Sequence, residues 1–133
     1  MSLQFQASIK KWAKQFPEHV DALSRQVCQE MAAKVVEATP VDTGFLRGSW
    51  QPSIGEPSSG KGDLDPTGSM AASKVGLVIS GVKAGDHFFM TNNAAYGPFV
   101  EYGTSAMAGR FFVTATVKQW KQVVDKTVKD LKL

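Results

Sequence analysis

Two apolar stripes of helical period, one near each end of the sequence, set the strongest limit on how this chain folds. From about Pro17 to Ala38, Val20, Leu23, Val27, Cys28, Met31, Val35 and Ala38 share an arc of about 140° at 100° per residue, with Glu18, Arg25, Gln29, Ala33 and Glu37 opposite. From about Phe112 to Leu131, Val113, Val117, Trp120, Val123, Val124, Val128 and Leu131 share a second arc, nearly opposite Lys118, Lys121, Lys126, Lys129 and Lys132. Each stripe needs an apolar partner, and a sheet face is wide enough for both. The fold class expected is therefore α+β: two long amphipathic helices packed on a small, mainly antiparallel sheet. The core expected is Val20, Leu23, Val27, Met31, Val35, Val113, Val117, Trp120, Val124 and Val128, with a large cost for removing Trp120.

The intervening sequence supplies the sheet. Pro17 suits a first helical turn, so the first long helix is expected to start there, after a shorter helical piece over about Gln6 to Gln15 with Ile9, Trp12, Ala13 and Phe16 on one side. Thr39-Pro40 ends the helix, because the residue before proline is pushed out of the α region. Asp42-Thr43-Gly44 can cap a single turn through Arg47, and Ser49 to Ile54 reads as a strand. Residues 55–69 hold four glycines, two prolines and four serines or threonines around one large apolar residue, Leu64, and read as a long flexible loop. A weak helix is expected over Thr67 to Ile79, a strand at His87 to Thr91, and a short helix within Ala95 to Tyr102 broken at Gly97-Pro98.

At 133 residues the chain is expected to form one domain, with a core large enough to fold without staples. A single cysteine, Cys28, excludes an internal disulfide and a cysteine-based zinc site. Met1 to Gln6 lacks the basic-then-apolar order of a secretory signal, so the expectation is assembly in the cytoplasm. Net charge is +3, with the excess concentrated in 118–133, which carry five lysines and two acids. That is too small a bias to mark a nucleic-acid binder on its own.

Catalytic groups do not assemble. Cys28 and His19 lie nine residues apart on one helix and face opposite ways, so they form no dyad. Asp63 and Asp65 lack the ligand count of a calcium loop, and Gly60-Lys61-Gly62 fits no phosphate-binding pattern. No cofactor or metal is expected. Glu101 stands out because Tyr96, Phe99, Val100 and Tyr102 surround it. A carboxylate in such company is costly unless paired, and Arg47 or Arg110 is the expected partner.

Two segments combine helix-breaking punctuation with aromatic and charged residues: TPVDTGFLRGSW (39–50) and TNNAAYGPFVEYGTS (91–105). In this order they resemble the head–tail joining and tail-completion proteins of long-tailed phages, including the minor-tail-protein family of lambda-like phages. The family pattern is TPVDTG-x-LR-x-S after an N-terminal helix, then a strand ending in NN, Y-A-x-x-VE-x-GT, and a C-terminal helix. The carried positions are Asp42, Thr43, Gly44, Leu46, Arg47, Asn93, Tyr96, Glu101, Gly103 and Thr104. Gly97 departs from the usual alanine, and Ala106 to Phe111 stand where the family has a proline.

The resemblance implies a structural protein of the virion neck or upper tail rather than an enzyme. It implies a homo-oligomeric ring, commonly six copies around the DNA channel, that finishes the tail or bridges it to the head. Other phage neck and tail proteins would be its partners, and no membrane is involved. Two other readings stay open. One is a small nucleic-acid-binding protein using Lys118, Lys121, Lys126, Lys129 and Lys132; the other is an enzyme whose site forms between subunits around Cys28 or His87. Within the 55–69 loop, Lys61, Asp63, Leu64 and Asp65 are expected to bury surface on a neighbour, because Leu64 alone cannot offset the entropy of ordering the loop.

Overall fold

A computed structural model describes the backbone from Leu3 to Leu133, with side chains at Lys14 and from Pro17 onward. The order is α1 (Leu3–Ala38), α2 (Phe45–Gly48), β1 (Trp50–Ile54), α3 (Ser69–Ile79), β2 (Phe88–Asn92), α4 (Gly97–Tyr102), α5 (Phe112–Val117) and α6 (Trp120–Asp130). The chain is α+β. Its sheet has two antiparallel strands, with Trp50 opposite Asn92, Pro52 opposite Met90 and Ile54 opposite Phe88.

The first helix is longer than the sequence reading expects. Pro17 lies inside α1 instead of opening it. Its fixed φ is compatible with a helix, and the two expected pieces join despite the one backbone hydrogen bond a proline cannot donate. The stripe of Ile9, Trp12, Ala13 and Phe16 lies outside the described side chains. At its other end α1 stops where expected. The Thr39 hydroxyl donates to the Val35 carbonyl at 2.6 Å and accepts from the Trp50 indole N–H at 2.8 Å, tying the helix end to the first residue of β1.

Two buried clusters meet at the sheet. Val35, Val36, Leu46, Trp50, Ala71, Ala94 and Phe112 form one; Ala32, Val75, Ile79 and Val82 form the other; Met90 packs on both. Pro52 belongs to the strand edge. The Gly55 N–H donates to the His87 carbonyl, so by alternation the position opposite Met90 turns its backbone outward, where a missing N–H removes no ladder bond.

The C-terminal helix is corrected most. It is two helices with a break at Lys118 and Gln119, where the Gln119 N–H donates to the Thr116 carbonyl, three residues back. The buried side is also turned. Phe112, Thr116, Val123 and Thr127 are buried, Val113, Val124 and Val128 are half-buried, and Val117 and Trp120 are 61% and 52% exposed. The buried stripe is thus rotated by about 90° from the valine stripe. Thr116 and Thr127 turn their hydroxyls back to the carbonyls of Phe112 and Val123, at 2.8 and 2.7 Å, and so enter the core without an unpaired donor. Of the expected α1 core, Val27 and Val35 are buried, while Val20, Leu23 and Met31 are half-buried.

Candidate assembly interface

The two punctuated segments come together at one joint, where the ends of α1, α2, α4 and α5 converge on β1 and β2. Arg47 sits at its centre. One guanidinium nitrogen, Nη2, donates to the carbonyls of Glu37 and Thr39, both at 3.0 Å, and Nη1 donates to Pro66 at 2.8 Å. It therefore caps the negative end of α1 and ties that end to the 55–69 loop. Its Nε is buried with no partner.

Glu101 is buried, as its apolar company requires, but its partner is not an arginine. Its carboxylate accepts from the backbone N–H of Val113 at 3.0 Å and of Thr114 at 3.4 Å. The expected pairing with Arg47 or Arg110 is thus replaced by a helix cap lent across the chain: Arg47 is spent on carbonyls and Arg110 is exposed. A signal for this is present in the sequence. Gly109-Arg110-Phe111 offers α5 no serine, threonine, aspartate or asparagine of its own at the N-cap. Phe111 fills that position at φ 49°, a left-handed conformation unfavourable for a bulky residue.

The remaining motif residues hold the same joint. Asn92 donates to the Leu46 carbonyl at 2.8 Å, and its side-chain oxygen accepts from the Ala94 N–H. Asn93 donates to the carbonyls of Ser58 and Gly60, each at 2.9 Å. Gly44 is buried at φ 90°, against Pro66. Thr43 accepts from the Phe45 N–H, while Asp42 is exposed and takes no part in the cap expected of it. Gly97 with Pro98 opens α4 rather than breaking it. A methyl at Gly97 would lie 3.6 Å from Leu46, an ordinary contact, so alanine and glycine both fit. Gly103, at φ 88°, crosses Gly109 where no Cβ fits, and the turn between them closes with the Thr104 N–H on the Met107 carbonyl. That crossing, followed by Arg110 and Phe111 N–H bonds to Val100 and Glu101, makes the turn without the family's proline.

The 55–69 loop is anchored by hydrogen bonds where apolar contact is lacking. The N–H groups of Asp63 and Asp65 donate to the carbonyls of Gly48 and Gly44, and Gln51 reaches the Lys61 carbonyl. Gly62 packs on Ser49 and Gly48 on Asp63 with no room for a side chain. Asp65 is buried and accepts from the Ala71 N–H at 2.9 Å, capping α3, so it is not available to a neighbour; Lys61, Asp63 and Leu64 are exposed.

What the joint leaves outside is aromatic. Tyr96, Phe99, Tyr102 and Phe111 are 42%, 57%, 70% and 48% exposed, with Met107 beside them. Phe45 and Tyr96 lie 6.3 Å apart by ring centroids, and Tyr102 and Phe111 meet edge to face at 6.5 Å. The five lysines of the C-terminal face are exposed; Lys121 pairs with Asp125 at 3.3 Å and Lys126 with Glu30 at 3.4 Å. A second apolar feature is a groove of about 480 Å³ between α1, β2 and the α5–α6 break. Cys28, Asp86 and His87 line it, yet no hydrogen bond joins Cys28 to His87, and burial pushes the Cys28 thiol up, away from the reactive thiolate. Among the described residues no cluster could hold a metal ion, and no helix is long and apolar enough to cross a membrane.

Comparison with known proteins agrees with these segments. The model of the family described as "Bacteriophage HK97-gp10, putative tail-component" matches residues 4–103, which include both motif segments up to Gly103 and stop before α5. No curated protein and no solved structure matches the chain.

Proposed function

The chain belongs to the HK97-gp10-like family of bacteriophage tail components, and from that premise we propose that it is a structural subunit of the virion neck or upper tail. Copies assemble into a ring that completes the tail or joins it to the head, around a channel that DNA crosses. One observation carries this reading. The motif residues spend their polar groups on locking helix ends together, as Glu101 does for α5 and Arg47 for α1, and the joint so fixed holds aromatic side chains outside. Exposed apolar surface on a rigid frame suits a protein held between other proteins. A catalytic role would instead call for titratable groups converging in a cleft.

The lysine face of the C-terminal segment supports at most loose contact with DNA. Acidic neighbours partly neutralise Lys121 and Lys126, and no aromatic residue interleaves the lysines on that face.

The test is removal of this protein from the phage that encodes it, followed by electron microscopy of the lysate. Filled heads and separate tails, converted to infectious particles on adding the purified protein, are the expected result. Normally joined particles would overturn the reading.

A further inference from the structure

The aromatic ridge on α4 and the turn after it is too exposed to serve the fold. Counting each ring at roughly 200 Å², the exposed parts of Tyr96, Phe99, Tyr102 and Phe111 present roughly 400 Å². That is about half of the ~800 Å² each partner contributes to a stable interface, before Met107 is added. Phe111 adds a second observation: its left-handed backbone holds its ring on this surface against Tyr102.

The groove, like the ridge, is mostly apolar. Met31 from α1, Phe88 from β2, and Val117 and Trp120 flanking the α5–α6 break line it, the last two more than half exposed. Its one carboxylate is Asp86; the one exposed charged side chain between Tyr96 and Phe111 is Arg110. Along its β2 wall, among the described residues, β2 pairs only with β1, leaving an open edge of the kind soluble proteins normally cover.

We propose that the aromatic ridge of one copy seats in the groove of the next, with Arg110 of the first beside Asp86 of the second. The proposal rests on the ring reading and assigns its two faces. Ridge and groove are different surfaces that share no residue, so the contact is head to tail and closes into a ring when the rotation between copies allows. Charge complementarity and the area of the ridge favour a second copy over an unrelated partner.

The experiment uses two surface variants of the full chain, measured by native mass spectrometry and sedimentation. One disables the ridge (Phe99→Asp with Tyr102→Asp), the other the groove (Val117→Asp with Trp120→Asp). The wild type should form a ring. Each variant alone should be monomeric, with the assembly midpoint raised about 30-fold or more, as expected for a hot-spot residue. Mixed one to one, they should form a heterodimer and nothing larger, because a single intact ridge–groove contact remains; this rescue also shows that both variants are folded. If either variant keeps the wild-type oligomer, if the groove variant dimerises by itself through its ridge, or if the mixture stays monomeric while both variants retain wild-type circular dichroism, the pairing is wrong and the ring reading stands. A wild type that stays monomeric at every concentration overturns the ring reading and the pairing together. Should an aspartate variant lose its circular dichroism spectrum, Tyr102→Ser and Val117→Ser replace it in the same scheme.

Discussion

The carboxylate of Glu101 lies 3.0 Å from the backbone nitrogen of Val113 and accepts its hydrogen. With the second bond from Thr114, a side chain on α4 satisfies two of the free donors at the start of α5. This one relationship fixes the angle between the helix that carries the aromatic ridge and the helix that leads to the groove.

Glu101→Ala should lower stability by about 1–2 kcal/mol, the cost of losing a cap. Glu101→Gln should lose roughly half as much, since a neutral acceptor forms the weaker bond. Arg47→Met should cost about 2–3 kcal/mol through its three carbonyls, and Arg47→Lys should recover only part, because an ammonium lacks the planar fork. Glu101 and Arg47 share no partner, so urea denaturation of Glu101→Ala combined with Arg47→Met should give the sum of the single changes within about 0.5 kcal/mol. A coupling well above that would restore the ion pair.

The sequence showed that Glu101 needed a partner, because its neighbours are apolar, but a cap is made by backbone N–H groups that no residue letter announces. The class of fold, the strands near 50–54 and 88–92, the C-terminal end of α1 and the positions of α2 and α3 were legible from period and punctuation. The face of the last helix was not. Hydropathy ranks Val117 and Trp120 above Thr116 and Thr127, yet a threonine that bonds its own helix buries at little cost, while the valine and tryptophan on either side of the break turn outward. The loop misled in the same way. Its composition offers one large apolar residue, Leu64, which is exposed; its actual anchors are backbone bonds, the side chains of Arg47, Gln51 and Asn93, and two glycine contacts.

Those anchors make the loop's behaviour testable in the isolated subunit. The amides of Asp63 and Asp65 should be protected from hydrogen exchange before any assembly, while the exposed Lys61, whose N–H makes no such bond, should exchange faster. Gly62→Ala, which sets a methyl against Ser49, should abolish that protection and cost about 1–3 kcal/mol. Equal exchange in both proteins would mean that the loop is not held by its own domain.

Cys28 should be slow to alkylate in the folded protein at neutral pH and fast in denaturant. Burial raises its thiol above the ordinary value, so the thiolate is scarcer in the fold than in the unfolded chain. The sign follows for stability. As pH rises past the ordinary thiol range the unfolded chain gives up its proton first, so this residue's contribution falls with alkaline pH and is unchanged at neutral pH. Replacing Cys28 by Ala should remove that alkaline loss, as read from urea midpoints across the range.

Free duplex DNA should be bound weakly and without sequence preference, with affinity falling steeply with salt. Lys118→Gln with Lys129→Gln, which removes two lysines from the exposed face of the C-terminal segment, should flatten the salt slope and leave the fold intact. Submicromolar, sequence-selective binding at physiological salt would favour a dedicated nucleic-acid binder instead.

Phe111 and Phe112 are neighbours in sequence and opposites in role. Phe112 is buried among Val35, Leu46 and Trp50, and Phe112→Ala should cost about 3–5 kcal/mol. Phe111 is half exposed in a left-handed conformation that costs a bulky residue about 1–2 kcal/mol. Phe111→Gly removes that cost. It loses an edge-to-face contact with Tyr102 worth about 0.5–1.5 kcal/mol and adds freedom to the unfolded chain, so net stability should stay within about 1 kcal/mol of wild type. Trp120→Ala, at a side chain more than half exposed, should likewise cost about 1 kcal/mol rather than the loss expected of a core tryptophan. Thermal melting of the three variants separates the cases: only Phe112→Ala should unfold at a markedly lower temperature. A large loss at Trp120 would return it to the core, and a large loss at Phe111 would mean that its ring holds the fold rather than presenting a surface.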